Sequence, residues 1–278
     1  MSCILIQVSA IDQRPVWLLA GTGEGPMLTE AMQHHGWRVH VSVVTESAAR
    51  SYGHLAPERL MTGALATGEA VDRVLAEAAC NHGGYCCVVD ATHPFAVVIS
   101  RNLQQSCAAV GQPLARFERL SESSKNCILL HSPIDLTFKI PEEARILLAL
   151  GARQLAEIVP LCRQINAQVY TRIFPGVDAL RLANSSGLSP NSIAIVHPIR
   201  ESSLVGTLEA ALCRRWQITH VICRQSGGVT EQLWHKICQE QSIKLLLLQR
   251  PVLEARQAII FHNTQALLDH LIWIADNA

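Results

Sequence analysis

Predicted strands and predicted helices alternate along most of this chain, and the strands end in glycine-containing or polar turns. Short runs rich in Val, Leu and Ile predict strands at 15–20, 37–44, 59–62, 85–90 and 114–118. Helical patterns follow the first, third and fourth of these strands. Parallel strands cannot be joined by tight hairpins, so this alternation predicts a parallel sheet with helical crossovers. In such a sheet, ligands bind beyond the carboxyl ends of the strands.

A polar stretch between Leu120 and Pro141 interrupts the alternation, and we expect a domain boundary there. Strands are predicted again at 145–150, 168–173, 192–196, 219–223 and 244–248, with helices between them. Asn263 is a favourable N-cap for a final helix over 264–274. The sequence predicts a leader at 1–14, an N-terminal dinucleotide-binding α/β domain at 15–125 and a C-terminal α/β domain at 126–278. The predicted fold is a pair of Rossmann-like domains whose parallel sheets face an interdomain cleft.

The composition restricts the class of protein further. Hydrophobic residues make up 49% of the 278 residues, which is too apolar for a disordered chain. The 23 Lys and Arg balance the 23 Asp and Glu, so the chain lacks the basic excess typical of nucleic-acid binding. No apolar run reaches the roughly 18–20 residues that span a bilayer, and no export signal is recognisable. We expect a cytoplasmic protein that binds neither nucleic acid nor membranes.

Ten cysteines raise the question of a metal site. No two of them have the Cys-x-x-Cys spacing of zinc sites, and the densest group is Cys80, His82, Cys86 and Cys87. Most of the others lie among apolar residues, where a thiol behaves as a small hydrophobic side chain. The sequence predicts reduced thiols in the core and no bound metal.

Gly21, Thr22, Gly23 and Glu24 follow the first predicted strand, where Rossmann-like folds bind a dinucleotide pyrophosphate. Glycine there permits a tight turn and lets backbone N–H groups approach phosphates at a helix N-terminus. The third glycine of a G-x-G-x-x-G pattern would fall at Pro26, which suits the first turn of a helix. We expect the cofactor at these residues, and a tight turn without a ligand is the alternative interpretation.

Thr45, Ser47 and Arg50 follow the second predicted strand, where the adenosine ribose of a cofactor would bind. Their hydroxyl and guanidinium groups suit a 2′-phosphate, whereas Glu46 suits a free 2′-hydroxyl. These residues leave NADPH and NADH both open.

The most distinctive run, Asp90-Ala91-Thr92-His93-Pro94-Phe95-Ala96, follows the fourth predicted strand. Because Pro94 holds the residue before it extended and is favourable at a helix start, we expect Thr92 and His93 at a positive helix end that suits an anion. Asp90 and Thr92 are further candidate cofactor ligands, and Phe95 offers a flat apolar face. A capping loop with a buried Phe95 is the alternative.

A loop in the second domain, Arg224-Gln225-Ser226-Gly227-Gly228, also follows a predicted strand. Its glycines permit close backbone approach, and Ser226 can donate to an oxyanion. The chain contains no Tyr-x-x-x-Lys pair, no Gly-Lys pair, no His-Glu-x-x-His and no Gly-x-Ser-x-Gly. These absences favour a protein that depends on a nucleotide cofactor for its chemistry.

Several of these motifs occur together, in the same order, in the precorrin-6A reductase family, which the chain resembles from about Val16 to its C-terminus. The matching runs are Gly21-Thr22-Gly23-Glu24, the Asp90 to Ala96 run, Arg116-Phe117-Glu118-Arg119, Gly151-Ala152-Arg153, Arg172-Ile173-Phe174-Pro175, Ser226-Gly227-Gly228 and Arg250-Pro251. Arg224 and Gln225 replace the family's Lys and acidic residue, and His197-Pro198-Ile199 replaces its Gly-Pro-Phe.

The resemblance implies NADPH-dependent reduction of a ring C=C bond of precorrin-6A, or of its cobalt form, in cobalamin biosynthesis. Its substrate would be a tetrapyrrole rich in carboxylates, and neighbouring enzymes of that pathway are the candidate protein partners. The candidate substrate-binding residues are His93, Phe95, Arg116, Arg119, Arg153, Arg172, Arg224, Ser226, Gly227, Gly228 and Arg250. His93 is also the candidate catalytic proton donor.

Nineteen of the 23 basic residues are Arg, whose planar guanidinium can bind a carboxylate through two hydrogen bonds. The candidate arginines lie at strand ends or just after them, so we expect a clamp on the substrate carboxylates. In such a clamp, Arg119→Ala and Arg172→Ala would lower kcat as well as raise KM. Pairing of these arginines with nearby acids is the alternative.

Two other functions remain open at this point. The same double α/β frame suits a non-catalytic protein that binds a nucleotide or an anionic metabolite. It also suits a reductase of some other carboxylated cyclic substrate.

Overall fold

The structure is a computed structural model that describes residues 14–21, 23–121, 127–197, 205–251 and 258–277. Its strands are β1 (Val16–Ala20), β2 (Val39–Val43), β3 (Arg59–Thr62), β4 (Val88–Ala91), β5 (Leu114–Phe117), β6 (Cys127–Leu130), β7 (Arg145–Ala149), β8 (Gln168–Ile173), β9 (Ile193–Ile195), β10 (His220–Arg224), β11 (Lys244–Leu248) and β12 (Ile259–Phe261). Its α-helices are α1 (Glu24–His34), α2 (Glu46–Ala49), α3 (Gly68–His82), α4 (Val97–Val110), α5 (Leu136–Lys139), α6 (Leu155–Gln164), α7 (Val177–Ser185), α8 (Thr207–Arg215), α9 (Val229–Glu240) and α10 (Thr264–Asp276). Apart from Arg14, the expected leader lies outside the described residues.

The first sheet has the strand order β3-β2-β1-β4-β5-β12, and its strands pair in parallel. This is the order of a doubly wound dinucleotide-binding sheet, with β12 as its sixth strand. The direction of winding reverses between β1 and β4. A crevice for a ligand is therefore expected beyond the carboxyl ends of these two strands.

The second sheet has the order β9-β8-β7-β10-β11-β6, again with parallel pairs. Its winding reverses between β7 and β10. The sixth strand, β6, lies in the segment between Leu120 and Pro141, which the sequence predicted only as a boundary. The prediction of two parallel α/β sheets is confirmed, and each sheet has one more strand than the sequence predicted.

The chain divides into two compact units, one formed by Met1–Arg119 with Pro251–Ala278 and the other by Leu120–Arg250. The C-terminal segment thus belongs to the first unit, which corrects the predicted second domain over 126–278. β12 pairs with β5, and Leu267 and Leu271 of α10 join the apolar cluster that contains Leu28 of α1. The predicted cap of α10 is confirmed, since the Asn263 side chain accepts a hydrogen bond of 2.8 Å from the Ala266 N–H. Local patterns predict this helix but not the sheet against which it packs.

The core of the first unit lies on both faces of its sheet. Successive residues of β1 point to opposite faces, so Leu18 packs in the cluster with Leu28 while Trp17 packs in the cluster with Val71 and Leu75. Burial on both faces explains why β1 is a continuous apolar run rather than an alternating one.

The cysteines largely follow the prediction of buried thiols. Seven of the nine described cysteines are buried, and Cys80 is exposed. Burial raises the pKa of Cys107 and of Cys162 to about 12, so both thiols stay protonated at neutral pH. Across the described residues, no helix is both long enough and apolar enough to traverse a bilayer.

Candidate functional site

The two loops at the winding reversal of the first sheet approach each other closely. They are the loop after β1, with Gly21 and Gly23, and the loop after β4, with Thr92 and His93. A Cβ atom at Gly21 would lie 3.3 Å from the backbone nitrogen of His93 and 3.5 Å from the Cα of Thr92. Glycine at this position therefore permits the contact between the loops. Thr22, also predicted to bind the cofactor, lies outside the described residues.

Gly23 and Gly25 have different surroundings. Gly23 is exposed and caps α1, and among the residues that the structure describes, none has an atom within 4 Å of a Cβ placed there. A Cβ at Gly25 would lie 1.9 Å from the Tyr52 Oη and 2.6 Å from the Ala20 Cβ. Gly25 thus allows α1 to pack closely on the strand, the role expected of the third glycine in the G-x-G-x-x-G pattern. The sequence interpretation sought this glycine at Pro26 and missed it by one position.

Gly25→Ala is expected to destabilise the protein by about 1–3 kcal/mol, because the added methyl group overpacks a filled space. Gly68→Ala is the matched control, since a Cβ at Gly68, at the start of α3, meets nothing within 4 Å. Urea unfolding of the two variants measures the difference. Equal stability of Gly25→Ala and the parent protein would contradict the packing role.

Arg116 on β5 lies in a buried polar network rather than in an open site, with 4% of its surface exposed. Its Nη1 forms an ion pair of 2.5 Å with Asp90 Oδ2 and donates to Ser100 Oγ at 2.9 Å. It also donates to Thr92 Oγ1 at 3.1 Å, and its Nε donates to Glu118 Oε1 at 3.1 Å. We therefore revise the predicted role of Arg116 from substrate binding to positioning of the β4 loop.

Asp90 and Thr92 belong to the same network. Asp90 Oδ1 accepts hydrogen bonds from the Thr92 N–H at 3.0 Å and the Thr92 Oγ1 at 2.7 Å. The buried Asp90 carboxylate thus shapes the loop, which suggests an indirect role in cofactor binding. Ser100 on α4 joins this network, and no pattern in the sequence pointed to it.

His93 and Phe95 lie in the turn between β4 and α4. The helix begins at Val97, not at Pro94 as predicted, because the Ala96 N–H donates to the His93 carbonyl at 2.7 Å and closes a turn first. His93 Nδ1 accepts a hydrogen bond of 3.2 Å from the Phe95 N–H, which leaves Nε2 as the protonated ring nitrogen. The His93 and Phe95 rings are both partly exposed, with centroids 5.7 Å apart.

Charged and hydroxyl side chains lie on either side of these loops. Glu24, in the first turn of α1, forms an ion pair with Arg119, which follows β5. Thr45, Ser47 and Arg50 follow β2 and are exposed, with Thr45 Oγ1 accepting from the Ala48 N–H as the cap of α2. Because β2 lies beside β1, these three residues are at the position where a ribose of the cofactor is expected.

The second unit repeats this arrangement at its own winding reversal. Gly151 and Arg153 follow β7, and Arg224 ends β10. A Cβ at Gly151 would lie 3.9 Å from Arg224 Nη2, and the φ of +86° at Gly151 favours glycine. Burial lowers the pKa of Arg224, and the positive charge of Arg153 acts in the same direction. An anion bound beside these two guanidinium groups would offset both effects.

The Ser226-Gly227-Gly228 loop is held by a buried acid that the sequence interpretation missed. Glu231, in the first turn of α9, is 1% exposed and accepts from the Gly227 N–H at 2.6 Å. It also accepts from Ser121 Oγ at 3.0 Å. Its position four residues after Gly227 in a helix first turn was the available signal. Ser226 itself is buried.

Arg250 and Arg172 have partners within the second unit. The Arg250 N–H donates to Gln225 Oε1 at 3.3 Å, so the amide that departs from the family pattern has a contact of its own. Arg172 Nε lies 3.2 Å from Glu209 Oε1 on α8, and its guanidinium carbon is 5.4 Å from the centre of the Phe174 ring. His197 is described, whereas Pro198 and Ile199 lie outside the described residues. Glu209 had no signal in the sequence.

The topology places this chain among α/β proteins with Rossmann-like sheets. In such proteins, the loops that bind ligands follow the strands where the winding reverses. Residues 15–271 match the family model of Precorrin-6x reductase CbiJ/CobK. The chain belongs to this family, whose members are oxidoreductases that act on a CH–CH bond.

Individual relatives agree with this membership. The chain is 28% identical over 242 residues to cobalt-precorrin-6A reductase of Synechocystis sp., covering 85% of this chain and 88% of that protein. It is 25% identical over 248 residues to cobalt-precorrin-6A reductase of Priestia megaterium, covering 86% and 91%. A solved structure of CobK precorrin-6A reductase superposes with a TM-score of 0.70 at 21% identity, covering 95% of this chain and 98% of that one. The last comparison supports the fold.

Proposed function

We propose that this protein reduces one ring C=C bond of precorrin-6A, or of its cobalt form, with NADPH during cobalamin biosynthesis. The observation that carries the proposal is the family match over 15–271. The loops at the two winding reversals support it, because one set suits a pyrophosphate and the other suits carboxylates.

The first unit has a loop that fits the pyrophosphate of a dinucleotide. Gly23 caps α1 and faces open space, so backbone N–H groups at the helix start are accessible to an anion. Thr45, Ser47 and Arg50 offer two hydroxyl groups and a guanidinium for a 2′-phosphate, which supports NADPH over NADH. NADPH, when bound, supplies a hydride for the reduction.

The second unit offers guanidinium groups for the carboxylates of the tetrapyrrole. Arg153 is exposed, and it lies close enough to Arg224 for its positive charge to lower the Arg224 pKa, so two guanidinium groups occur together at this winding reversal. Arg153 and Arg224 are therefore the stronger candidates for substrate binding. Each charge-assisted contact to a carboxylate would contribute about 1.5–3 kcal/mol.

Reduction of a C=C bond also requires a proton at the second carbon. His93 remains the candidate residue near the cofactor loop, with Nε2 as its donor atom. Because Nδ1 accepts a hydrogen bond from the Phe95 N–H, Nε2 is the ring nitrogen whose N–H could donate to a ligand. Water is the alternative proton source.

The decisive experiment follows the oxidation of NADPH by its absorbance, with metal-free precorrin-6A and with the cobalt form in separate reactions. We expect turnover with at least one of them and a reduced product in equal amount. NADPH binding without turnover of either substrate would instead support a non-catalytic nucleotide-binding protein. Turnover only with a different carboxylated macrocycle would contradict the proposed substrate.

Gly23→Val is expected to weaken NADPH binding at least tenfold without loss of stability. Its side chain would enter the space proposed for the pyrophosphate, and its Cβ would meet no atom of the described residues within 4 Å. Titration calorimetry measures the affinity, and Gly68→Val is the matched control, since its Cβ also meets nothing within 4 Å and it lies after the edge strand β3. Unchanged affinity in folded Gly23→Val would contradict this cofactor site.

A further inference from the structure

The amino-terminal edge of the first sheet carries a group of three side chains that could bind a metal ion. His40 is near the start of β2, Glu58 precedes β3, and His82 ends α3. One donor atom from each lies within 4.8 Å of the others. The three residues come from separate elements, which is why no spacing motif in the sequence revealed them.

The contacts around His40 orient its ring for such a role. His40 is buried, and its Nδ1 lies 3.3 Å from the Tyr85 Oη, which can accept the Nδ1–H hydrogen bond. That arrangement directs Nε2 toward Glu58 Oε1, 3.5 Å away. The His82 ring lies against the His40 ring, with centroids 5.3 Å apart and planes at 76°. Metal-binding histidines commonly have their second ring nitrogen fixed by a hydrogen bond in this way.

The contacts around Glu58 fix the carboxylate. Arg38 donates to its two oxygens, at 2.6 Å from Nε and 2.5 Å from Nη2. Each carboxylate oxygen has a second lone pair, so these bonds leave Glu58 able to bind a cation. The neighbouring Arg59 is paired with Glu77 at 2.8 Å, so both nearby guanidinium charges are balanced by carboxylates.

We propose that His40, Glu58 and His82 form a binding site for a divalent transition-metal ion such as Zn²⁺. Two imidazoles and one carboxylate are a donor set that zinc prefers and that magnesium and calcium do not. Water would complete the coordination, since Glu58 is exposed and the site opens toward solvent on its side. This assignment departs from the sequence expectation of no metal. It includes His82 from the group singled out in the sequence but not Cys86 or Cys87, which are buried in the core.

The location of the site indicates a structural role. The amino ends of the strands form the edge of the sheet opposite the loops after β1 and β4. A metal ion there would link β2, the segment before β3 and the end of α3. Because the ion would bind the folded state in preference to the unfolded chain, we expect it to raise the melting temperature.

Titration calorimetry of the metal-free full-length protein with Zn²⁺ tests the proposal. We expect one ion per chain, and at least tenfold weaker binding for each of His82→Ala and Glu58→Gln. His54→Ala is the matched control, as an exposed histidine of the same unit outside the cluster, and its affinity should be unchanged. Melting curves with and without Zn²⁺ should show a rise in Tm that disappears in His82→Ala.

The exposed thiol of Cys80 is the competing ligand, because it lies two residues before His82. Cys80→Ser should retain full Zn²⁺ affinity, and Co²⁺ should give visible bands without a thiolate charge-transfer band. Three results would each overturn the proposal: no saturable binding, binding that survives both His82→Ala and Glu58→Gln, or binding that is lost in Cys80→Ser.

Discussion

Arg116→Ala is expected to lower the free energy of unfolding by about 3–5 kcal/mol, the usual effect of removing one partner from a buried ion pair. The Asp90 carboxylate would stay buried without its guanidinium, and Thr92, Ser100 and Glu118 would each lose a donor. Urea unfolding of the variant and the parent protein measures this loss.

Two further variants make the Arg116 result specific. Arg181→Ala removes an exposed ion pair with Asp178 and should change stability by less than about 0.5 kcal/mol. In an Asp90→Asn background, Arg116→Ala should be clearly less destabilising, because no buried charge is left unpaired. A loss below about 1 kcal/mol, or the same loss in both backgrounds, would show that the network does not depend on this pair.

Arg224→Ala is expected to lower kcat/KM for precorrin-6A by about tenfold to a hundredfold, with little change in NADPH affinity. The factor corresponds to the loss of one charge-assisted contact of about 1.5–3 kcal/mol. Arg224→Lys should recover only part of the activity, since it retains the charge but not the two-pronged hydrogen bonding. Steady-state kinetics with varied substrate and cofactor separates the two effects.

The controls for Arg224 are Arg172 and Arg181, which form ion pairs with Glu209 and Asp178. Arg172→Ala would leave the buried Glu209 carboxylate without this guanidinium, so we expect it to lower the free energy of unfolding with little effect on kcat/KM. We expect Arg181→Ala to change neither quantity. This revises the sequence expectation for Arg119 and Arg172, whose ion pairs with Glu24 and Glu209 favour the alternative of local pairing. An unchanged kcat/KM in folded Arg224→Ala would contradict the proposed contact between Arg224 and a substrate carboxylate.

Strands that are buried on both faces were predictable from the sequence, because short continuous apolar runs between turn residues are typical of such strands. The apolar run of β1, with the glycines after it, was the basis for the proposed cofactor loop. β12 was not predicted, because it has only three residues and joins the first sheet through a pairing distant in sequence. β6 was missed for a similar reason, since it is four residues long and borders a polar stretch.

The roles of individual polar residues were less predictable than the elements that carry them. Arg116 and Arg224 both occur at the ends of strands, and both were predicted to bind substrate. Their surroundings distinguish them, since Arg116 is bound to Asp90 while Arg224 lies beside another positive charge. Such differences depend on side chains from other strands, which local patterns do not contain. The contacts of Glu209 and Ser100 could not be predicted for the same reason.

The return of Pro251–Ala278 to the first unit affects the order in which the protein can fold during synthesis. When Met1–Arg119 has emerged from the ribosome, β12 and α10 have not yet been synthesised. The edge of β5 and the apolar surface around Leu28 therefore remain uncovered at that stage. Leu120–Arg250, by contrast, is continuous and has all six of its strands before β12 and α10 are made. The unit that begins second can therefore be completed first, and the first unit is closed only after Pro251–Ala278 has been made.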